Sequence, residues 1–310
     1  MKLNNIYNMD CFVGMKKMIK QGMKVDAIIT DPPYGTIKGI ESHLWNGDKS
    51  KTYWDNAFEP KRIYDLANKL LRQNGTMILF SQEPYTSKLR TSTIPNLPCT
   101  QSAIWEKEHF GNPLSANKAL LNYHEDISIF RKKYDYNSNK ELREYAKKIR
   151  EHLVLRPKEI NKVLGHARAQ HFLIYDGLQF RIPTEKTYNE LITKFRIDEL
   201  DFFMSYSKLK GKFLGTQIFN LPTGKKHKGS IFKYKKDKSK LHPTQKPLAL
   251  MEDLILTYTN QNDNVLDFTI GSGTTCVACI NTKRNYIGFE LDKKYCNIAN
   301  KRIEEAKNFR

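Results

Sequence analysis

Long hydrophobic runs are missing from this 310-residue chain. No apolar stretch approaches the roughly 20 residues of a membrane-spanning helix, which argues against a membrane protein of that kind. Cysteine is scarce and odd in number, with five residues at 11, 99, 276, 279 and 296. That predicts reduced thiols rather than a disulfide framework. Cys276 and Cys279 form a C-x-x-C pair with no second ligand pair, so they read as small apolar residues facing a core, and no metal is expected. The start, Met1-Lys2-Leu3-Asn4, shows neither the apolar stretch nor the small-residue cleavage site of a signal peptide, and a cytoplasmic protein is expected. Internal repeats and low-complexity tracts are also lacking. Acidic residues are the last shortage: 33 Asp and Glu face 52 Lys and Arg, for a net charge of +19.

The excess of positive charge is uneven. Between Lys132 and Lys240 there are 26 Lys and Arg against 12 Asp and Glu. A solvated basic surface and a polyanion-binding insert both produce such a bias, and its confinement to a third of the chain favours a nucleic-acid partner. A membrane surface is disfavoured, because no Trp/Leu-rich basic amphipathic helix is present. The stretch Gly224 to Lys240 holds eight lysines and one aspartate, with Phe232 and Tyr234 interleaved. It reads as a mobile basic loop, with Lys225, Lys226, Lys228, Lys233, Lys235 and Lys236 as candidate phosphate contacts.

Hydrophobic content of 39% supports a sizeable core. The pattern predicts short strands at Ile6-Tyr7, Val25 to Thr30, Thr76 to Phe80, Ser102 to Trp105 and Ile127 to Phe130. Helices are expected over Phe12 to Gln21 and Pro60 to Arg72, the second stopping at Asn74-Gly75. A Gly/Pro/Asn-rich loop is expected from Gly111 to Asn117. The α/β pattern resumes at His242, with helices over Pro247 to Thr259, Thr274 to Thr282 and Lys294 to Lys307. Strands are expected at Asn264 to Asp267 and Tyr286 to Glu290. The whole predicts an α/β fold with a mostly parallel sheet, divided as 1–131, a basic and mainly helical insert at 132–240, and 241–310. Within the insert, Lys140 to His152 is a charged helix. Arg156 to Leu164, Gly165 and His166 to Tyr175 fit a helix-turn-helix and an ordinary α-hairpin equally.

Two strand ends carry the chemistry. Asp267, followed by Gly271 and Gly273 and then a helix, lets backbone approach a ligand where a Cβ would clash. Glu290, at the tip of the next strand, can accept hydrogen bonds from ribose hydroxyls. A dinucleotide and S-adenosylmethionine both suit this arrangement. Asp31-Pro32-Pro33-Tyr34 separates them. Two prolines stiffen the backbone, and Asp31, with an unperturbed pKa of about 3.9, presents an acceptor. The amino group of adenine or cytosine is planar, its lone pair delocalised into the ring. Hydrogen bonds from it to Asp31 and to the Pro32 carbonyl would draw the nitrogen toward tetrahedral geometry and restore its nucleophilicity. Tyr34 can stack on the base. Transfer of a sulfonium methyl then becomes a task of positioning.

Asp31-Pro32-Pro33-Tyr34, the run Asp267 to Thr275, and His242-Pro243-Thr244-Gln245-Lys246-Pro247 together resemble the amino-methylating DNA methyltransferases. The catalytic motif precedes the cofactor motif, as in the beta group of that family, and the resemblance covers residues 4–131 and 241–306. It implies a Rossmann-like S-adenosylmethionine methyltransferase fold with an inserted target-recognition domain. It implies that Asp31, Pro32, Pro33 and Tyr34 receive a flipped base from double-stranded DNA. Asp10, Cys11, Asp31, Thr244, Lys246, Asp267, Phe268, Thr269, Gly271, Ser272, Gly273, Thr274, Thr275 and Glu290 would bind the cofactor, with Thr244 and Lys246 near its carboxylate. The family usually carries Phe two residues before the first glycine. Here that residue is Thr269, with Phe268 one earlier, so either can pack on the cofactor.

The first residue, Asp31, leans toward N6 of adenine over N4 of cytosine, because Ser there is commoner among cytosine enzymes. RNA and protein-glutamine methylation usually go with Asn first, and no Pro-Cys nucleophile for cytosine carbon is present. A catalytically inert DNA-binding protein is the reading from another class, and intact Asp31, Tyr34, Gly271 and Glu290 speak against it. A homodimer and a cognate restriction nuclease are further expectations.

Overall fold

The computed structural model describes residues 1–35, 55–111, 117–118, 120–135, 139–213, 215, 217–237, 241–242 and 244–308. Pro243, Lys238, Lys240 and most of the loop expected at 111–117 lie outside these residues. The chain forms two compact units, one of Met1–Leu71, Gly75–Lys132 and Ile218–Arg310, the other of Arg72–Asn74 and Lys133–Gln217.

The first unit opens with β1 (Asn5–Asn8), α1 (Cys11–Lys20), β2 (Val25–Thr30), α2 (Pro60–Leu70), β3 (Leu71–Ser81), α3 (Tyr85–Thr91), β4 (Cys99–Gly111) and β5 (Asn122–Arg131). The second unit carries α4 (Lys140–Leu153), α5 (Pro157–Leu164), α6 (Gln170–Leu173), α7 (Glu185–Phe195) and α8 (Tyr206–Lys212). The chain then returns to the first unit with β6 (Ile231–Lys233), α9 (Leu248–Tyr258), β7 (Asn264–Asp267), α10 (Thr274–Thr282), β8 (Asn285–Glu290) and α11 (Lys293–Asn308).

The eight strands form one sheet in the order β1-β8-β7-β2-β3-β5-β4-β6. From β1 to β3 all neighbours are parallel. β5 and β4 run antiparallel as a hairpin against β3, and β6 lies parallel to β4. Period-two alternation sorts the side chains. Ala27 and Ile29 of β2 join Ile78 and Phe80 of β3 on the face covered by α9 and α10, with Leu254 and Cys276. Ile28 joins Met77 and Leu79 on the other face, with Met15 of α1 and Ile63 of α2. Strands apolar on both faces are what a parallel sheet between helical layers requires.

Helix α2 begins with Pro at its first turn, where a missing N–H costs nothing. It ends at Leu70 and not at Asn74-Gly75 as expected. Leu71 is already extended and pairs with Val25, and the register then jumps to Ala27 with Thr76. Asn74 marks that bulge, with φ +59°. The second unit has its own core, built from Leu142, Tyr145, Phe172, Tyr188 and Leu191 among others. The second helix expected of a helix-turn-helix is reduced to the four residues of α6. Gly165, in the left-handed region, terminates α5, as expected of a turn residue. The expected insert boundary at 240 also shifts. Residues 218–240 group with the first unit, as far as they are described, because β6 pairs with β4 and Phe232 enters its core. No helix among the described residues is long and apolar enough to cross a membrane.

Candidate active site

β2 and β7 lie side by side at the centre of the sheet, yet come from opposite ends of the chain. β7 leads into α10 on one face, while β2 connects to α2 on the other. The strand order reverses between them, and such a switch point opens a crevice at the carboxyl ends of the strands. A cavity of about 450 Å3 occupies that place. Of the cofactor residues expected from the sequence, all but Gly273 line it.

The glycine turn explains that exception. Gly273 has φ +82°, and a Cβ there would sit 2.8 Å from the Ala299 methyl on α11. Its missing side chain admits the helix behind the turn rather than a ligand. Gly271 has φ +51° and faces the cavity, and a Cβ on it would stand 3.4 Å from the His242 ring. Asp267 is buried and fully engaged. It accepts hydrogen bonds from Thr30 Oγ1 at 2.7 Å, Thr275 Oγ1 at 2.5 Å and the Thr269 amide at 3.0 Å. Burial pushes its carboxyl up to about 6. Glu290 accepts from the Gly271 amide and the Asp292 amide, each at 2.9 Å. Burial raises its carboxyl to about 7.

Phe268 and Thr269 have separate tasks. Phe268 is buried with Leu266 and Phe289 in the core, touching the cavity from below. The Thr269 hydroxyl donates to the Asp31 carbonyl at 3.1 Å and lies 2.6 Å from Thr30 Oγ1. It ties the end of β7 to the start of the proline turn.

That turn is fixed from two sides. Asp55 Oδ1 accepts both the Tyr34 and the Gly35 amides, each at 2.9 Å. The Tyr34 hydroxyl donates to Asp31 Oδ1, and the Lys246 ammonium donates to Asp31 Oδ2. Lys246 Nζ also lies 3.0 Å from Glu125 Oε2, and Lys107 Nζ lies 3.3 Å from Glu125 Oε1. Two carboxylates and two ammoniums therefore form a buried, balanced chain behind the turn. Burial raises the Asp31 carboxyl above the usual carboxylate range, against the pull of Lys246. Burial also disfavours charge on Glu125, but Lys246 and Lys107 outweigh it and hold that carboxyl low. Tyr34, half-buried beside Asp31, is pushed well above the usual phenol range by desolvation. Its ring packs against both core layers.

Lys246 thus lines the cavity, with its charge matched by Asp31 and Glu125. Thr244 remains exposed beside the cavity, its amide on His242 Nδ1 at 3.3 Å. Burial lowers His242 to about 4, so it is neutral, and its ring meets Tyr295 edge-on at 4.2 Å. Asp10 caps α1 by accepting from the Val13 amide at 2.9 Å. Cys11 is buried with its thiol pushed up to about 12. All five cysteines are free. Among the described residues no cluster of His, Cys, Asp or Glu is placed to hold a metal.

Glu125, Lys107 and Asp55 did not emerge from the sequence motifs. The signal for two of them was there: period two puts Lys107 on one face with Trp105, and Glu125 with Ile127 and Ile129, both inward. A charge at such positions in each arm of a hairpin marks a buried pair. The lysines of 225–236 also divide. Lys225 and Lys226 are exposed. Lys233 and Lys235 make surface pairs with Glu106 and Glu108, which cost little to break. Lys228 is a correction to the expected phosphate contacts: it is largely buried against Asp253 and donates to Thr257 Oγ1 at 2.9 Å.

The cavity at the switch point, floored by a glycine turn and faced by an acidic ribose-type acceptor, defines the class: a Rossmann-like fold of the S-adenosylmethionine-dependent methyltransferases. The model of the N6/N4 DNA methylase family matches residues 25–301, and the chain belongs to that family. The Type II methyltransferase M2.DpnII of Streptococcus pneumoniae is 34% identical over 306 residues, 95% of this chain and 87% of its own length. M2.LlaDCHI of Lactococcus lactis subsp. cremoris is 30% identical over 148 residues, 48% of this chain and 53% of its own. Two solved structures share the fold. The M1.HpyAVI–SAM complex superposes with a TM-score of 0.54 at 24% identity, covering 96% of this chain and 98% of that one. PvuII DNA methyltransferase, cytosine-N4-specific, gives 0.50 at 12%, covering 98% and 91%.

Proposed function

We propose that the protein methylates the exocyclic N6 of adenine in double-stranded DNA, with S-adenosylmethionine as methyl donor. The observation that carries this reading is the Asp31 carboxylate, which lines the cavity with an N–H or O–H donor on each oxygen. It is an acceptor oriented for an amine and placed beside the cofactor turn.

The cavity fits the cofactor by its donor set. Glu290 suits two ribose hydroxyls, and the Gly271 side, open for want of a Cβ, suits the amino-acid part. Phe12 and Phe58, ring centroids 4.8 Å apart, wall the end near Asp10, which suits adenine. When bound, S-adenosylmethionine supplies an electrophilic methyl on a sulfonium. The chain does the rest. Tyr34 stacks on the flipped base, and the Asp31 carboxylate and the Pro32 carbonyl accept its two N–H bonds, localising the lone pair on nitrogen. The methylated nitrogen sheds one proton, and Asp31, made a better base by burial, is the acceptor at hand. Extruding the base costs a few kcal/mol, offset by phosphate contacts from exposed lysines such as Lys225 and Lys226 and from the basic helical unit, which we assign to target recognition.

N4 of cytosine is the second reading, since a cytosine-N4 enzyme shares the fold. Names of relatives as Type II methyltransferases support a place beside a restriction nuclease, and a homodimer fits the beta group. Expression in a methylation-free host, followed by mapping of modified bases across its genome, decides base and site together. An unmodified genome would sink the reading, and N4-methylcytosine would select the second.

A further inference from the structure

In the reaction proposed above, the target amine needs an oxygen of Asp31, and both are occupied. Tyr34 holds Oδ1 and Lys246 holds Oδ2. One donor must leave when the base arrives. Lys246 has somewhere to go. Glu125 Oε2 lies 3.0 Å from its ammonium, yet is buried and makes no hydrogen bond. The contact has the distance of an ion pair without the alignment of a hydrogen bond. A small rotation of the ammonium away from Asp31 would complete it. Lys107, on the other oxygen, anchors Glu125 from behind.

We propose that Glu125 is a positioning residue for methyl transfer: it receives Lys246 as the target amine takes Asp31 Oδ2, so that Lys246 is a displaceable placeholder for the substrate. No net charge moves, because the ammonium stays between the same two carboxylates. The cation remains close enough to keep Asp31 ionised while the amine binds, and the acceptor is never left bare. A buried carboxylate without a donor is costly, and the exchange avoids that state throughout.

Several charged groups bear on the Asp31 carboxyl. Tyr34 comes from its own turn, Lys246 from the segment before α9, Glu125 from β5 and Asp267 from β7. Lys107, Asp55 and His242 act one contact further out, on Glu125, Tyr34 and Lys246 respectively. Removing the Glu125 anion lowers the Asp31 carboxyl, and removing the Lys246 cation raises it. The acid limb of the kcat/KM profile must therefore move in opposite directions in two variants of one site.

The test uses the full chain, tritiated S-adenosylmethionine and unmodified duplex DNA. Wild-type transfer is measured first, and its absence would overturn the reaction itself. Given an active wild type, Glu125→Gln should retain cofactor binding and lose roughly a hundredfold in kcat/KM, mostly in kcat. Its acid limb should move to lower pH. Glu125→Asp, which keeps the charge, should return the limb toward wild type. Lys246→Met should move the limb to higher pH. If Glu125→Gln does not fold, Lys107→Gln carries the test, since loss of that cation should also move the limb upward. An active wild type whose Glu125→Gln or Lys107→Gln variant keeps the same rate and the same limb overturns the role of Glu125 and leaves the reaction standing.

Discussion

Acidification should release the cofactor, and Glu290 sets where. Its carboxylate binds the Gly271 amide with one oxygen and the Asp292 amide with the other, both at 2.9 Å. Burial raises its carboxyl to about 7. A protonated carboxyl has a donor where one acceptor was. It must give up one of the two amides, and it offers less to ribose hydroxyls. The sign follows from the raised value: the ionised form prevails above about 7 and is lost as pH falls through it. Where binding requires the carboxylate, each pH unit below that point lowers affinity about tenfold, or about 1.4 kcal/mol. Two neighbours titrate elsewhere. His242 lies at about 4 and stays neutral throughout the window. Asp267 lies at about 6 and would add a second, lower limb.

Calorimetric titration with S-adenosylhomocysteine across pH separates these groups. The wild type should weaken from about 7 downward. Glu290→Gln should bind more weakly at high pH, because its amide NH2 faces a backbone N–H, and should lose the limb near 7. Any slope left in that variant, centred near 6, belongs to Asp267. A wild-type affinity that does not change between about 8 and about 6 would refute the account, as would a limb near 7 that survives in Glu290→Gln.

Asp31→Asn should abolish transfer while leaving cofactor affinity near wild type, since it removes the acceptor but not the glycine turn; measurable turnover would contradict the assignment. Gly273→Ala should cost about 1–3 kcal/mol in urea unfolding, because the new methyl meets Ala299 at 2.8 Å and φ is positive; an unchanged midpoint would show that α11 can yield. Thr269→Val should cost about 1–3 kcal/mol and slow transfer, as the Asp31 carbonyl loses its 3.1 Å partner; wild-type kinetics would remove Thr269 from the site. Lys228→Ala should lower stability but leave the salt dependence of DNA binding intact, whereas Lys225→Ala with Lys226→Ala should flatten that dependence by about one to two in slope; the reverse pattern in filter binding would restore Lys228 to the interface.

Much of this was legible in the sequence, for a physical reason. β2 and β7 are short, largely apolar runs that lead into a proline turn and a glycine turn, and those turns carry residues whose chemistry is local. Asp267, Gly271 and Glu290 are read from the strand ends that place them. What the sequence concealed depends on partners distant in the chain. Lys246 reads as a partner for a cofactor carboxylate, and its ion pairs with Asp31 and with Glu125 of β5 show only in the fold. Lys228 reads as a phosphate contact until α9 brings Asp253 to it. Gly273 reads as a ligand contact until α11 occupies the space its side chain leaves. A charge in a motif states what a residue can bind, and only its neighbours state whether that capacity is already used.

The reversed order of the two motifs has no cost for the chemistry because the site is assembled across a strand pair and not along the chain. Ala27 and Ile28 pair with Val265 and Leu266. Side chains then bridge the same two strands, with Asp26 accepting from the Asn264 amide at 2.8 Å and Thr30 donating to Asp267 at 2.7 Å. Thr269 closes the series on the Asp31 carbonyl. Each bond fixes β2 and its proline turn relative to β7 and its glycine turn, whichever is made first. The residue that departs from the family's usual Phe is the last of these bridges. Its hydroxyl holds the Asp31 carbonyl, while Phe268, one residue earlier, keeps an aromatic surface against the cavity.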